Sequence, residues 1–544
     1  MYHSVLSAAF HGMESFFVHV EVDVSDGLPC MEIIGSLAGE VKESRERVRV
    51  GIKNSGYRIP AQRITINLSP ADRRKDGSGF DLAIALGVLA CLEKKQSKCQ
   101  NITDAMQFDT GGTAANNMMV LGELGLDGTI KPVRGVLTML LLAQRNGVSY
   151  CMLPRENAAE AQSVSGMRCY GVDSLREAYA FYSDFLDGKA DLHDTWSRIE
   201  VERKTIDILM KEKETEKQEL DFSQIYGQED ARRAAEIAAA GFHNLLLFGP
   251  PGSGKTMIAE RLGTILPPMQ YRECLEVTEI YSMAGLLDHK IPLVTKRPYE
   301  RPHHSITPQG LIGGGTIPKP GCAVRAHRGI LFLDELPEFG REKLDLLRQP
   351  LEEKKVRIAR NKYSCEYRAD FMLVAAMNPC PCGFFPDLSR CRCREHEIRS
   401  YLKRISGPFL DRIDLGAEVG KTQWEHLQGK NFSLPETSEQ IRKRVETAHH
   451  IQRNRQGKFN ADLTNEEIAL HCRMEPQAEA LLERIYAAKN LSIRGLMRIR
   501  KVARTIADLA GSDQILEEHM TEAVIRNNEM ETIFEQTQQR EQRW

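Results

Sequence analysis

The stretch "NLLLFGPPGSGKT" (residues 244–256) limits the fold more than any other part of the 544-residue chain. An apolar run leads into a glycine-rich turn that fits G-x-x-x-x-G-K-[ST], and the turn opens an apolar helix. A run apolar at every position is what a strand buried on both faces requires, so it predicts the middle of a parallel sheet. The glycines let backbone N–H groups turn toward phosphates. The candidate nucleotide-binding residues are therefore Gly249, Pro250, Pro251, Gly252, Ser253, Gly254, Lys255 and Thr256. Lys255 can reach the β- and γ-phosphates of ATP, and Thr256 can hold Mg²⁺. A chance glycine-rich turn would lack the strand before it and the helix after it.

Two further apolar runs, "GILFL" (329–333) and "FMLVAAM" (371–377), predict neighbouring strands. The first ends in Asp334 and Glu335. Asp334 suits Mg²⁺ through water, and Glu335 suits a general base for the attacking water. Asn378 ends the second run, where a polar side chain can position that water. In "SGPFLDRIDL" (406–415) Arg412 lies between two aspartates. It is either a surface ion pair or, in a ring ATPase, an arginine finger for the neighbour's γ-phosphate. Arg494 starts a helix further on and could contact the same phosphate, or simply be solvated.

These signals occupy one of three blocks. Residues 1–190 predict a separate α/β domain, with strands in "FFVHVEVDV" and "RITINLSP" and helices in "GEVKESRERVRVGIKNSG" and "FDLAIALGVLACL". Residues 191–221 predict a charged linker, dense in alternating charge. Residues 222–435 hold the ATPase core. Residues 436–530 predict an α-helical lid, with Leu496, Ile499, Val502, Ile506 and Leu509 at helical spacing, and 531–544 a tail.

Net charge is −2, so any polyanion contact must come from local basic surface. "EEKKVRIARNKYSCEYRADF" (352–371) offers one, as a β-hairpin with a basic tip. Its candidate DNA contacts are Lys354, Lys355, Arg357, Arg360 and Lys362, and six copies in a ring would concentrate that charge. An ordinary charged hairpin is the plainer alternative. No run is long and apolar enough to span a bilayer, the N-terminus lacks a signal-peptide layout, and a cytoplasmic setting is expected.

Of 13 cysteines, four fall in "CPCGFFPDLSRCRC" (380–393). Cys380, Cys382, Cys391 and Cys393 have the spacing C-x-C-x₈-C-x-C, and four thiolates suit tetrahedral zinc. The pairs are tighter than the usual C-x₂₋₄-C. Four buried thiols are the alternative, but a loop rich in glycine, proline and arginine has little core of its own and suits a metal staple.

The order of "GPPGSGKT", "RPHHSITPQGLIGGG", "ILFLDELPEF", "VAAMNPCPCG" and "ISGPFLDRIDL" resembles the magnesium-chelatase-like AAA+ ATPases, and within them the ComM/YifB branch. The resemblance covers nearly the whole chain. It implies an AAA+ core with a helical lid, assembly as a hexamer, and action as a DNA helicase in branch migration during transformation. It gives Lys255, Thr256, Asp334, Glu335, Asn378, Arg412 and Arg494 the roles argued above. It also places Tyr226 and Gly227 of "IYGQEDARRA" by the adenine, and "RPHHS" (301–305) in an insert near the pore, where His303 and His304 have no assigned chemistry. The N-terminal block resembles the Lon protease catalytic domain, of ribosomal-S5-like fold, through "RKDGSGFDLA" and "LGELGLDGTIKPVRGVLTMLLLAQRNGV". The register puts Gly79 at the serine position and Leu137 at the lysine position, so a Ser–Lys dyad is missing and no proteolysis is expected.

Three functions compete: an ATP-driven DNA motor, a chelatase-type ATPase that remodels a protein partner, and an ATP-dependent protease. The missing dyad counts against the last. The Lon-like domain, and the lack of a metal-insertion partner module, count against the second. The basic hairpin favours the first.

Overall fold

Strict alternation builds the first sheet. In "ESFFVHVEVDVS" every second residue from Val18 to Val24 is buried, which is how a strand covers a core on one face. The computed structural model describes residues 1–35, 39–75, 77–100, 117–188, 198–199, 220–288, 292–315, 319–360, 363–420, 435–489 and 491–536. The described chain forms two compact units. The first comprises residues 1–215 together with 271–295, and the second residues 216–270 and 296–544. The expected linker at 191–221 lies almost wholly outside the described residues, as do part of the expected hairpin tip and the tail beyond 536.

In the first unit the strands of the main sheet are β1 (Tyr2–His11), β2 (Glu14–Ser25), β3 (Cys30–Ile34), β4 (Arg63–Ser69), β5 (Met118–Val120), β6 (Tyr150–Pro154), β7 (Arg168–Val172) and β8 (Arg198–Ile199). They form one mixed sheet in the order β8-β7-β6-β5-β1-β2-β4-β3. Helix α1 (Gly39–Asn54) and the apolar α2 (Asp81–Gln100) pack in one core with β2 and β4. Helix α3 (Val136–Arg145) lies in a second cluster with Met119 and Cys151. Into that cluster comes Leu275, from a helix of Tyr271–Ala284. Its Ser282 hydroxyl donates to Glu160 (2.5 Å), and its Tyr271 hydroxyl donates to the Ser163 carbonyl (2.6 Å). An excursion from the second half of the sequence thus completes the N-terminal unit.

The second unit contains helix α4 (Glu229–Gly241) and the strands β9 (Leu245–Phe248), β10 (Tyr299–Glu300), β11 (Ile330–Leu333), β12 (Lys355–Arg360), β13 (Tyr363–Arg368), β14 (Met372–Met377) and β15 (Leu415–Glu418). Five strands form an all-parallel sheet in the order β10-β11-β14-β9-β15. The three apolar runs supply its centre and are buried at every position. Strands β12 and β13 form a separate antiparallel hairpin. C-terminal helices follow, among them Ser438–Gln456, Ile493–Leu509 and Glu517–Gln536. Their apolar faces join the same cluster as the sheet, for example Ile441, Val502 and Ala523 with Leu247. The fold is α/β: an N-terminal α/β sheet domain, a central parallel-sheet domain and C-terminal helices.

Candidate nucleotide and cation site

The turn after β9 is built by glycine. Gly252 and Gly254 have φ of +73° and +99°, and a Cβ at either would meet no atom within 4 Å, so backbone faces an open cradle. Helix α5 (Lys255–Ile265) starts there. The Lys255 ammonium donates to the carbonyls of Gly249 and Pro250 (both 2.8 Å) and to Asn378 Oδ1 (3.1 Å). Burial pulls its pKa down to about 8, against the attraction of Asp334. Thr256 donates to Asp334 Oδ2 at 3.2 Å. A buried ammonium, an open amide cradle and a hydroxyl–carboxylate pair fit a nucleoside triphosphate with its divalent cation. Mg²⁺ would rest on Thr256 and Asp334.

Parallel pairing brings the remaining groups here. β14 lies between β11 and β9, so Asn378 ends beside the glycine turn. Glu335 takes a left-handed backbone, φ 52°, uncommon for a non-glycine residue and frequent where a site constrains the chain. Tyr226 is exposed, and Gly227 beside it has φ 64°. The next residue, Gln228, donates to the Gly420 carbonyl (2.6 Å) and the Ser253 carbonyl (3.4 Å), which ties that turn to the glycine loop.

The sequence did not reveal the role of Arg301 and His304. Arg301 bridges Asp334 Oδ2 (2.8 Å) and Glu260 Oε1 (2.7 Å), and His304 Nδ1 lies 3.6 Å from Glu335. Both "RPHHS" residues therefore face the two strand-end carboxylates. Only the pairing of β10 with β11 could have signalled this.

Arg412 and Arg494 are brought together elsewhere. Both reach the Glu352 carboxylate, Arg494 at 3.4 Å and Arg412 by a close contact. Among the described residues neither touches Lys255, Thr256, Asp334, Glu335 or Asn378.

The four cysteines converge. Sγ separations are 3.4 Å (Cys380–Cys382), 3.7 Å (Cys380–Cys391) and 3.6 Å (Cys382–Cys391), and all four sulfurs lie within 4.8 Å of one another. A zinc ion with bonds of about 2.3 Å needs tetrahedral edges of roughly 3.8 Å. Cys380 Sγ also accepts from the N–H groups of Gly383 (3.2 Å) and Phe385 (3.4 Å), the kind of outer bonding that holds a thiolate ligand. Burial and neighbouring thiols push Cys391 up to about 11 and Cys393 up to about 12, while, against burial, hydrogen bonds from backbone N–H groups and neighbouring thiols bring Cys382 down to about 6. The donor set fits a tetrahedral metal. A Cβ on Gly383 would come 2.4 Å from Pro251, so this knuckle abuts the glycine loop.

The basic hairpin differs from the sequence expectation at one residue. The Lys354 ammonium is held between Asp370 and Asp462, 3.2 Å from each, where the residue turns left-handed (φ 57°) at the end of a helix. Lys355 and Arg357 are exposed and pair with Glu366 at 2.5 and 3.0 Å. Lys362 and the Arg360 side chain lie outside the described residues.

In the N-terminal unit Leu137 is buried in α3 and Gly79 carries no side chain, so neither supplies a nucleophile or a base. The Ser78 hydroxyl donates to the Glu123 carboxylate, not to an amine.

Family models for the magnesium chelatase subunit ChlI match residues 20–157 and 221–427, and one for the C-terminal part of that subunit matches 435–526. The chain is 39% identical over 522 residues to competence protein ComM of Haemophilus influenzae, covering 96% of each. It is 40% identical over 507 residues to YifB of Salmonella typhimurium, covering 93% of each. A weaker likeness, 28% over 225 residues, relates 36% of the chain to 39% of Lon protease 2 of Bacillus subtilis.

Proposed function

Because this chain belongs to the ComM/YifB family of magnesium-chelatase-like AAA+ ATPases, we propose that it is an ATP-hydrolysing ring motor that acts on DNA, as a hexameric helicase or branch-migration factor. The convergence of Lys255, Asn378, Thr256 and Asp334 at one end of a parallel sheet carries the ATPase half of this reading. Lys255 would neutralise the β- and γ-phosphates. Glu335 would take the proton of the attacking water, which Asn378 orients. Tyr226 and Gly227 would border the base. Mg²⁺, when bound between Thr256 and Asp334, would draw charge from the phosphate oxygens.

The DNA half rests on the β12–β13 hairpin, whose exposed Lys355 and Arg357 lie just before the strand that ends in Asn378, and on the likeness to a competence protein. A grip on phosphates there would be mechanically close to the hydrolytic site. The match to chelatase models favours one other reading, an ATPase that remodels a protein partner. Filter binding of labelled single-stranded DNA separates them. Glu335→Gln with ATP should retain DNA, because ATP stays bound and unhydrolysed. Adding Arg357→Glu should weaken retention and lower the salt dependence by about one phosphate contact. No retention by Glu335→Gln at low salt would favour the protein partner.

A further inference from the structure

Helix α6 (Arg348–Glu353) places Arg348 and Glu352 one turn apart. Glu352 receives Arg412 and Arg494. Arg348 lies near enough to act on Arg412 electrostatically. Burial holds the Arg412 guanidinium below the usual arginine range, and the charges of Arg348 and Arg494 add to that against the pull of Glu352. Only 8% of the Arg412 side chain is exposed, and its Nη1 donates to the Pro408 carbonyl. The Nε atoms of Arg348 and Arg412 are buried and make no hydrogen bond among the described residues.

The carboxylates do not balance these cations. Arg348 meets Asp345 only at 3.9 Å, and Asp345 also faces Arg341 at 3.5 Å and accepts from Ser406 at 2.6 Å. Four guanidiniums thus share two carboxylates. Excess positive charge of planar, multi-donor groups, exposed apart from the buried Arg412, suits a phosphate. Among the described residues none of these arginines hydrogen-bonds or ion-pairs with Lys255, Thr256 or Asp334 of its own chain.

We propose that Arg348 joins Arg412 and Arg494 in a three-arginine site for the terminal phosphate of a nucleotide held by the next copy of this chain, with Glu352 as the positioning residue that keeps the three guanidiniums together. This rests on the reading of Arg412 as an arginine finger. Glu352 stands in for the phosphate when no neighbour's nucleotide is present. Without it the arginines repel and splay.

Subunit mixing tests this in the full chain. Arg348→Ala should lower kcat by at least about tenfold, a modest share of what a trans arginine supplies. Its affinity for a fluorescent ATP analogue should stay at the parent value, which also reports a folded nucleotide site. Arg348→Lys should recover part of the loss. Glu352→Gln should lower kcat with KM unchanged, and Glu352→Asp should restore it in part. An equimolar mixture of Arg348→Ala with Lys255→Ala should turn over ATP faster than the two apart, because some interfaces then pair an intact loop with intact arginines. Parent-rate turnover by Arg348→Ala overturns the proposal. So does a mixture that shows no gain while Arg412→Ala with Lys255→Ala does gain. If the Arg412→Ala mixture also fails, the finger reading falls with it. Weaker DNA binding by Arg348→Ala with unchanged DNA-free kcat would assign the site to DNA phosphates instead, and would equally overturn it.

Discussion

His449 illustrates what a single buried side chain commits the fold to. Its Nε2 donates to the Ala239 carbonyl at 2.9 Å, and Phe459 packs on the ring at 4.6 Å. Burial drives its pKa down from 6.5 to about 3, so the folded protein keeps it neutral. The unfolded chain binds a proton there below about pH 6.5, and the folded one does not. Its contribution is therefore complete above that pH and is lost as pH falls toward 3, at up to about 1.4 kcal/mol per pH unit. Urea unfolding at pH 7 and pH 5 should show the parent losing more stability than His449→Gln, which keeps an N–H but cannot titrate. Equal losses would refute this assignment. The residues of the glycine loop were legible from sequence because their chemistry is local: eight consecutive positions make the cradle. Arg301 and His304 were not. They lie about thirty residues before Asp334 and Glu335 and meet them only through strand pairing, Tyr299 opposite Ile330 and Glu300 opposite Leu331.

Among elements, the cysteine knuckle carries the clearest consequence. It sits between Asn378 and the segment of Arg412, and its Gly383 is packed on Pro251. Anaerobically purified protein should hold about one zinc per chain if one tetrahedral ion takes all four thiolates. Replacing Cys380 and Cys391 together by serine should remove the metal and slow ATP turnover by loosening the support of the glycine loop. Elemental analysis that finds no zinc in the parent would end the idea. The four thiols could be read as a set because they lie within fourteen consecutive residues. The hairpin was legible too, from alternating residues on either side of Asn361-Lys362. The ion pairs of Lys354 were not legible, for the opposite reason. Its partner Asp462 lies 108 residues further on, and a distant carboxylate that pairs with an ammonium leaves no local trace.

At the scale of the molecule, an N-terminal domain resembling a protease accompanies a motor-like core. With Gly79 and Leu137 where the Lon resemblance asks for serine and lysine, the domain should help to assemble the ring or widen its DNA contact, without cutting peptides. Fluorogenic casein with ATP should stay intact, and cleavage abolished by Ser78→Ala would show a working peptidase. The charge-dense stretch 201–221 sets an N-terminal block apart in composition, but that the C-terminal helices share one unit with the parallel sheet was not foreseeable, since the sequence predicts a separate lid. Nor was the excursion of Tyr271–Ala284 into the first unit, because the apolar residues of a helix do not declare which core they join. The central claim, that ATP hydrolysis here is spent on DNA, is tested most directly by steady-state ATP turnover of the full chain with and without single-stranded or branched DNA. Turnover should rise several-fold with DNA at low salt, and the rise should disappear in Glu335→Gln and shrink in Arg357→Glu. Turnover that is vigorous and indifferent to every DNA supplied would contradict it.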